Sequence, residues 1–211
     1  MEAGTMKIKY DSPFWERMGK LYSIIALNLF WILFSLPLIT IGPSTVALHR
    51  CMFSLITGKE TNVFTEFYQS FKTNFVRNMM AGLIVVGFGM LLLSVRNFYF
   101  EMAANTSLTI YYFYILLVFL FGLFFVTVFP VLLTFDGTVL ELLRTAFFIA
   151  IKNLPMSILM VVVACLIIYF CQMLIPLALI GVSLIVFINS HIYWRKIDNK
   201  SKYIGKGMRE V

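Results

Sequence analysis

The sequence predicts an all-α, polytopic membrane bundle with five clear spans, one short helix that spans or re-enters, and amphipathic helices on the inner face. Three observations carry this prediction. Of the 211 residues, 61% are apolar and only 13% charged, where a soluble domain is nearer a half and a quarter. The mean hydropathy of +0.91 is gathered into runs near the ~20 residues that cross a bilayer as a helix. None of these runs shows the ten-residue alternation of barrel strands, and in lipid only helices or closed barrels satisfy the backbone. A chain this apolar lacks the polar surface to cover a water-soluble core. That excludes a soluble enzyme, a nucleic-acid-binding domain and a disordered chain.

The elements follow in order within a single membrane domain, 1–211. Residues 1–20 are polar and read as a cytoplasmic N-terminus. The first apolar run, 21–41, is longer than the core of a signal peptide and has no small-residue cleavage site after it, so it is expected to stay as an anchor. Gly42-Pro43 breaks it, and Pro43 is suited to open another helix. The stretch 43–57 is short and carries His49 and Arg50. In 62–78 phenylalanines fall at 64, 67, 71 and 75, opposite Glu66, Gln69, Lys72 and Arg77. That spacing predicts an amphipathic helix, lying in the interface or packed on the bundle. Runs at 79–100, 108–134, 154–169 and 175–194 are the other spans. Between them, 136–153 opens at Asp136-Gly137 and predicts a second, more apolar inner helix. Residues 195–211 form a basic tail.

Charge arbitrates the short segment. If 43–57 returns across the membrane, both termini lie inside together with fifteen of the seventeen basic residues. Arg50 and Arg96 are the exceptions, both within helices. Cytoplasmic loops carry such an excess. The net charge of +7 therefore reads as orientation rather than as a nucleic-acid footprint. Trp15, Tyr193 and Trp194 flank the spans, as headgroup-level aromatics do.

The candidates for chemistry are few. None of the ten acids lies inside a span, which counts against a proton- or sodium-coupled transporter. His49, Arg50 and Cys51 are consecutive and fan out around a helix, so they cannot converge on one ion. Cys51, Cys165 and Cys171 read as small buried thiols. No cofactor, metal site or catalytic arrangement is expected. Arg50 is the one costly residue. It either lines a polar cavity and grips an anionic group, with Glu60, Glu66 or Asp136 as partner, or snorkels to the inner headgroups. Asn28 can bond to a neighbouring helix, and Thr40 can bond back to a carbonyl freed near Pro37. Gly82, Gly87 and Gly89 allow close helix packing, and Gly82 to Gly87 is not a G-x-x-x-G spacing. Pro37 to Thr40 and Pro130 to Thr134 end two spans alike, each followed by a further helix and a basic-amide motif, Lys72-Thr73-Asn74 and Lys152-Asn153. The pattern suggests a weak internal duplication of the kind common in transporters, with chance or generic helix-end chemistry the favoured explanation in such a composition.

Asn28-Leu29-Phe30-Trp31, Leu36-Pro37, Thr40-Ile41-Gly42-Pro43-Ser44-Thr45-x-Ala47-Leu48 and Phe64-x-x-Phe67-x-x-x-Phe71-Lys72-x-Asn74-Phe75 together resemble the YesL-like family of uncharacterised bacterial membrane proteins. The match covers 14–100; the second helical half, 101–194, and the basic tail agree mainly in length, hydrophobicity and charge. The resemblance implies a bacterial cytoplasmic-membrane protein, encoded near genes for carbohydrate uptake and degradation. It implies no reaction. The expectation is a non-enzymatic protein, accessory or regulatory to carbohydrate uptake, with the bilayer and a carbohydrate transporter or other membrane protein as partners. The alternative is a small transporter or permease subunit for a sugar-like or anionic solute. Candidate contact residues are Arg50, Asn28, Thr40, Gly42, Pro43, Phe64, Phe67, Phe71, Lys72 and Asn74.

Overall fold

A computed structural model describes residues 13–58, 62–105, 108–173 and 175–204, with side chains described over 18–58, 62–102, 108–173 and 180–195. Among these the chain forms helices α1 (Pro13–Ser35), α2 (Ile41–Ile56), α3 (Val63–Lys72), α4 (Phe75–Ser94), α5 (Arg96–Asn105), α6 (Leu108–Thr134), α7 (Val139–Lys152), α8 (Leu154–Met173) and α9 (Ile175–Ile204), and no strand. Five segments are long and apolar enough to cross a membrane: Met18–Ser35, Leu38–Ile56, Phe75–Met102, Leu108–Thr134 and Leu154–Met173. The protein is an all-α helical bundle.

The first turn falls earlier than the sequence suggests. Pro37 cannot continue the helical ladder and pushes Leu36 away from helical geometry, so α1 stops at Ser35 and a single 3-10 turn, Leu38–Thr40, leads into α2. Gly42 and Pro43 lie inside the first turn of α2, where a missing N–H costs nothing. The carbonyls freed at this corner are covered by hydroxyls. Thr40 Oγ1 lies 2.6 Å from Phe34 O and 2.7 Å from Pro37 O, and Ser44 Oγ lies 3.0 Å from Phe34 O and 2.7 Å from Thr40 O. At the matching end of α6, Thr134 Oγ1 donates to Pro130 O at 2.9 Å.

The helix expected over 62–78 is two helices. Asn74 sits between them with φ 52°, a left-handed conformation that asparagine tolerates better than most side chains. The run 79–100 is likewise interrupted, at Val95, and Arg96 opens α5 at an exposed position.

The course of the chain follows from a series of contacts. Phe34 meets Ser44, and Gly42 lies against Asn78 and Gly82. Arg77 donates to Leu132 O at 3.0 Å, and Thr134 meets Tyr193 at 3.3 Å. The last turn of α1, the first turns of α4, the last turns of α6 and the Tyr193 region of α9 therefore share one end of the bundle. It follows that α1, α6 and α9 run in the same direction, and that α1 begins at the opposite end from the end of α9. The arrangement with both chain ends on one side required 43–57 to cross; instead α2 stays in one half. Its 16 residues rise about 24 Å, starting against Gly82. It passes His49 beside Phe129 and Ser190 and finishes with Phe53 beside Tyr193 and Trp194.

Residues Gly42 to His49 of α2 are all buried, which makes α2 the centre of the core. One cluster joins Val46 and Phe53 to α4, α6 and α7 through Ala81, Val128, Leu142 and their neighbours. The other joins Leu48, Cys51 and Met52 to α1, α3 and α9 through Leu27, Phe67 and Val186. Asn28, fully buried, accepts from Ser183 N–H at 3.0 Å and ties α1 to α9.

Three expectations about side chains change. Cys51 is buried, but Cys165 is exposed and Cys171 half-buried. Tyr193 is buried and hydrogen-bonded inside the bundle rather than placed at the headgroups. The side chain of Trp15 lies outside the described residues.

Candidate functional site

The candidate residues separate into three places. At the shared end, Arg50 of α2 faces the polar side of α3. The two helices enclose a pocket of about 380 Å³ lined by Arg50, Asn62, Thr65, Glu66, Gln69, Ser70 and Thr73. The local sequence accounts for this geometry. Asn62 caps α3, its Oδ1 accepting from Phe64 N–H at 3.2 Å, and Glu66 in the first turn complements the positive end of the helix. Ser54 Oγ donates to Glu66 Oε1 and so pins α3 to α2. Arg50 is exposed and opens the pocket to the surface. Of its expected partners, Glu66 shares the pocket, Glu60 lies outside the described residues, and Asp136 pairs instead with Arg77 at 3.5 Å. Asp136 is fully exposed, so that pair adds little to stability.

The aromatic side of α3 forms the second place, and it docks on the bundle. Phe67 is fully buried, 5.5 Å from the Phe34 ring and 6.1 Å from the Phe30 ring. Phe64 meets Phe30 edge-on at 5.3 Å, and Phe71 meets Phe34 at 5.0 Å. Such pairs add to plain area burial. Lys72 lies 4.3 Å over the Tyr68 ring, a cation–π contact at the C-terminal end of the helix. The pattern F-x-x-F-x-x-x-F-K-x-N-F thus specifies docked rings, a charged last turn and a left-handed corner.

The third place is the α1–α2 corner, where Thr40, Gly42 and Pro43 hold the turn. Gly42 has a partner that sequence spacing does not reveal. A Cβ on Gly82 would fall 2.5 Å from Gly42 Cα, and a Cβ on Gly42 would collide with Asn78 O. The two backbones touch, as small residues permit between membrane helices.

Sequence reasoning also missed a polar group inside the membrane bundle. His49 Nδ1 lies 3.0 Å from Ser190 Oγ, and its ring stacks 6.3 Å from Phe129. Beside it Thr45 Oγ1 receives Trp31 Nε1–H at 3.1 Å. Thr45 and His49, one turn apart on α2, face a cavity together with Asn189 of α9. The partners are more than 140 residues apart, so no local motif could announce them.

Chemically, the Arg50 pocket offers a cation, a carboxylate, amides and hydroxyls at the surface, which suits it to hold polar and charged groups of another molecule. A family model described as "Protein of unknown function, DUF624" matches residues 24–94. Over 184 residues the chain is 30% identical to the "Uncharacterized protein YesL" of Bacillus subtilis (strain 168), which covers 83% of this chain and 87% of that protein. No solved structure matches the chain.

Proposed function

The chain belongs to the YesL-like family of proteins of unknown function, and from that premise we propose that it acts by binding a partner protein, as a non-enzymatic accessory to carbohydrate uptake in the bacterial cytoplasmic membrane. The observation that carries this reading is the Arg50 pocket on a docked surface helix: charged and hydrogen-bonding groups are displayed on rigid elements at one end of the bundle. The same end holds α7 and the last turns of α9. Among the basic residues whose side chains are described, Arg50, Lys72, Arg77, Arg144, Lys152 and Arg195 belong to segments at that end, against Lys20 and Arg96 elsewhere, which supports placing it in the cytoplasm. The start of α1 would then face outward. Cysteines placed at Lys20 and Arg195 test this orientation. They should react with an impermeant maleimide from opposite sides, and reaction from one side would refute it.

The reading as a sugar permease has less support. The cavity within the bundle is almost wholly apolar, and a sugar needs a polar partner for nearly every hydroxyl it buries. The partner reading is tested by chemical crosslinking and affinity capture from native membranes. One protein should be recovered reproducibly with the wild type and lost with Arg50→Glu. Recovery unchanged by Arg50→Glu, or no reproducible protein, refutes the role of the pocket. A deletion strain that grows normally on every sugar tested would refute the link to carbohydrate uptake.

A further inference from the structure

The cavity faced by Thr45 and His49 has a volume of about 430 Å³, within the range of small-molecule sites. Its wall is built from five helices of the bundle and α2, with Val86, Phe125, Val161, Ile168 and Val182 among the apolar lining. The polar groups gather where α2 and α9 meet. Two of them are already engaged. Thr45 Oγ1 donates to Ile41 O at 2.7 Å while receiving the Trp31 indole N–H, and His49 is bonded to Ser190. The third is not. Asn189 is only 4% exposed, it lines the cavity, and its Oδ1 has no hydrogen-bond partner. A buried acceptor left unpaired is costly, and a donor brought by a ligand recovers that cost.

The cavity also has a side opening. Among the described residues, α1 and α4 each pack extensively on α2, and no comparable interface joins them to one another. Trp31 of α1 and Val86 of α4 both line the cavity, and Phe125, Cys165 and Ile168 in its wall are exposed. In a membrane this gap faces hydrocarbon.

We propose that the cavity binds a single-chain amphiphile from the bilayer, an acyl or isoprenoid chain ending in a hydroxyl or amide N–H. Asn189 Oδ1 has no exposed surface as it stands; the amide turns about its own side-chain bond to accept from the head, and the chain lies between Phe125, Val161 and Ile168. One donor matches the one unpaired acceptor. An ionised head finds no counter-charge among the lining residues, and a drug-sized volume takes one chain rather than two. The ligand enters between α1 and α4. This site is separate from the Arg50 pocket and does not depend on its role.

The full chain in phosphatidylcholine vesicles tests the proposal. The probes are hexadecanol with a mid-chain diazirine and the same chain ending in a methyl group. Photolabelling by the alcohol should concentrate on 122–129, 161–168 and 182–189, and unlabelled hexadecanol should slow alkylation of Cys165 by N-ethylmaleimide. The wild type should prefer the alcohol over the methyl-ended chain by roughly three- to tenfold, the preference one net hydrogen bond supports. Asn189→Leu should abolish the preference while still binding both chains. Should Asn189→Leu fail to insert, Ala164→Phe, which fills the cavity from α8, should block labelling by both. Equal labelling of the wild type by the two probes overturns the assignment of Asn189. Labelling spread evenly over lipid-facing residues such as Leu116 and Leu159, or unchanged by Ala164→Phe, overturns the site.

Discussion

Alanine at Gly82 is the sharpest test of the crossing between α2 and α4. The added Cβ would lie 2.5 Å from Gly42 Cα and 2.8 Å from Gly42 N. Carbon atoms pack best at about 3.5–4.0 Å, so the two backbones must part by roughly 1 Å. Neither partner is a side chain that can rotate aside. Overpacking of this kind typically costs ~1–3 kcal/mol. Separation also loosens Val46, Ala81 and Val85, buried at the same crossing. Alanine's intrinsic helical advantage over glycine, up to about 1 kcal/mol, acts in the opposite sense. The net expectation is a loss of about 1–2 kcal/mol for Gly82→Ala. Gly87, on the same helix, has nothing within 4 Å of an added Cβ, so Gly87→Ala keeps the helical advantage without the clash. Gly42→Ala, which meets Asn78 O as well as Gly82, should cost more than Gly82→Ala. The double variant should cost less than the sum of the two, because the helices need to part only once. Equilibrium unfolding in mixed micelles of mild and denaturing detergent measures all four. A Gly82→Ala protein as stable as Gly87→Ala would refute the backbone contact.

Three other outcomes follow from the geometry. Phe67→Ala should destabilise by ~3–5 kcal/mol, the usual cost of emptying a buried phenylalanine site, whereas Phe64→Ala, at a half-exposed ring, should cost under about 1 kcal/mol in the same assay. Asn74→Gly should be nearly neutral, and Asn74→Val should lose about 1–2 kcal/mol, since a branched side chain resists the left-handed corner. In α7 the Glu141 carboxylate accepts from the Thr138 backbone N–H at 3.0 Å. That bond first, then the Thr138 hydroxyl and Arg144, hold its pKa below the ordinary glutamate value. The folded value lies beneath the unfolded one, about 4.3. The cap therefore stabilises α7 above that pH and loses its contribution as pH falls through the folded value. Hydrogen exchange at the first turn of α7 should accelerate in that acid window for the wild type, and show no such step for Glu141→Gln.

The spans and the Phe-rich helix were legible because hydropathy runs and 3.6-residue periodicity are local. So was the back-bonding of Thr40, since Pro37 frees a carbonyl three residues away. The direction of α1 was not. Charge counting assumed that the chain starts inside and then asked which segments cross, whereas Gly42 meeting Gly82 is what holds α2 in one half of the bundle. That contact joins residues forty positions apart and leaves no trace in either helix's pattern. Tyr193 was misplaced for a related reason: an aromatic beside Arg195 looks like a headgroup anchor until Phe53 and Thr134 are folded against it. The His49–Ser190 pair and Asn189 were hidden because a single amide or hydroxyl in a long apolar run scarcely changes its hydropathy.

The gap between α1 and α4 sets what concentration means for the cavity. A molecule that enters from the side is counted by its mole fraction among lipids, not by its molarity in water, and it searches in two dimensions. Occupancy should then follow membrane composition, fall as added lipid or detergent dilutes the amphiphile, and be indifferent to the volume of buffer around the vesicles.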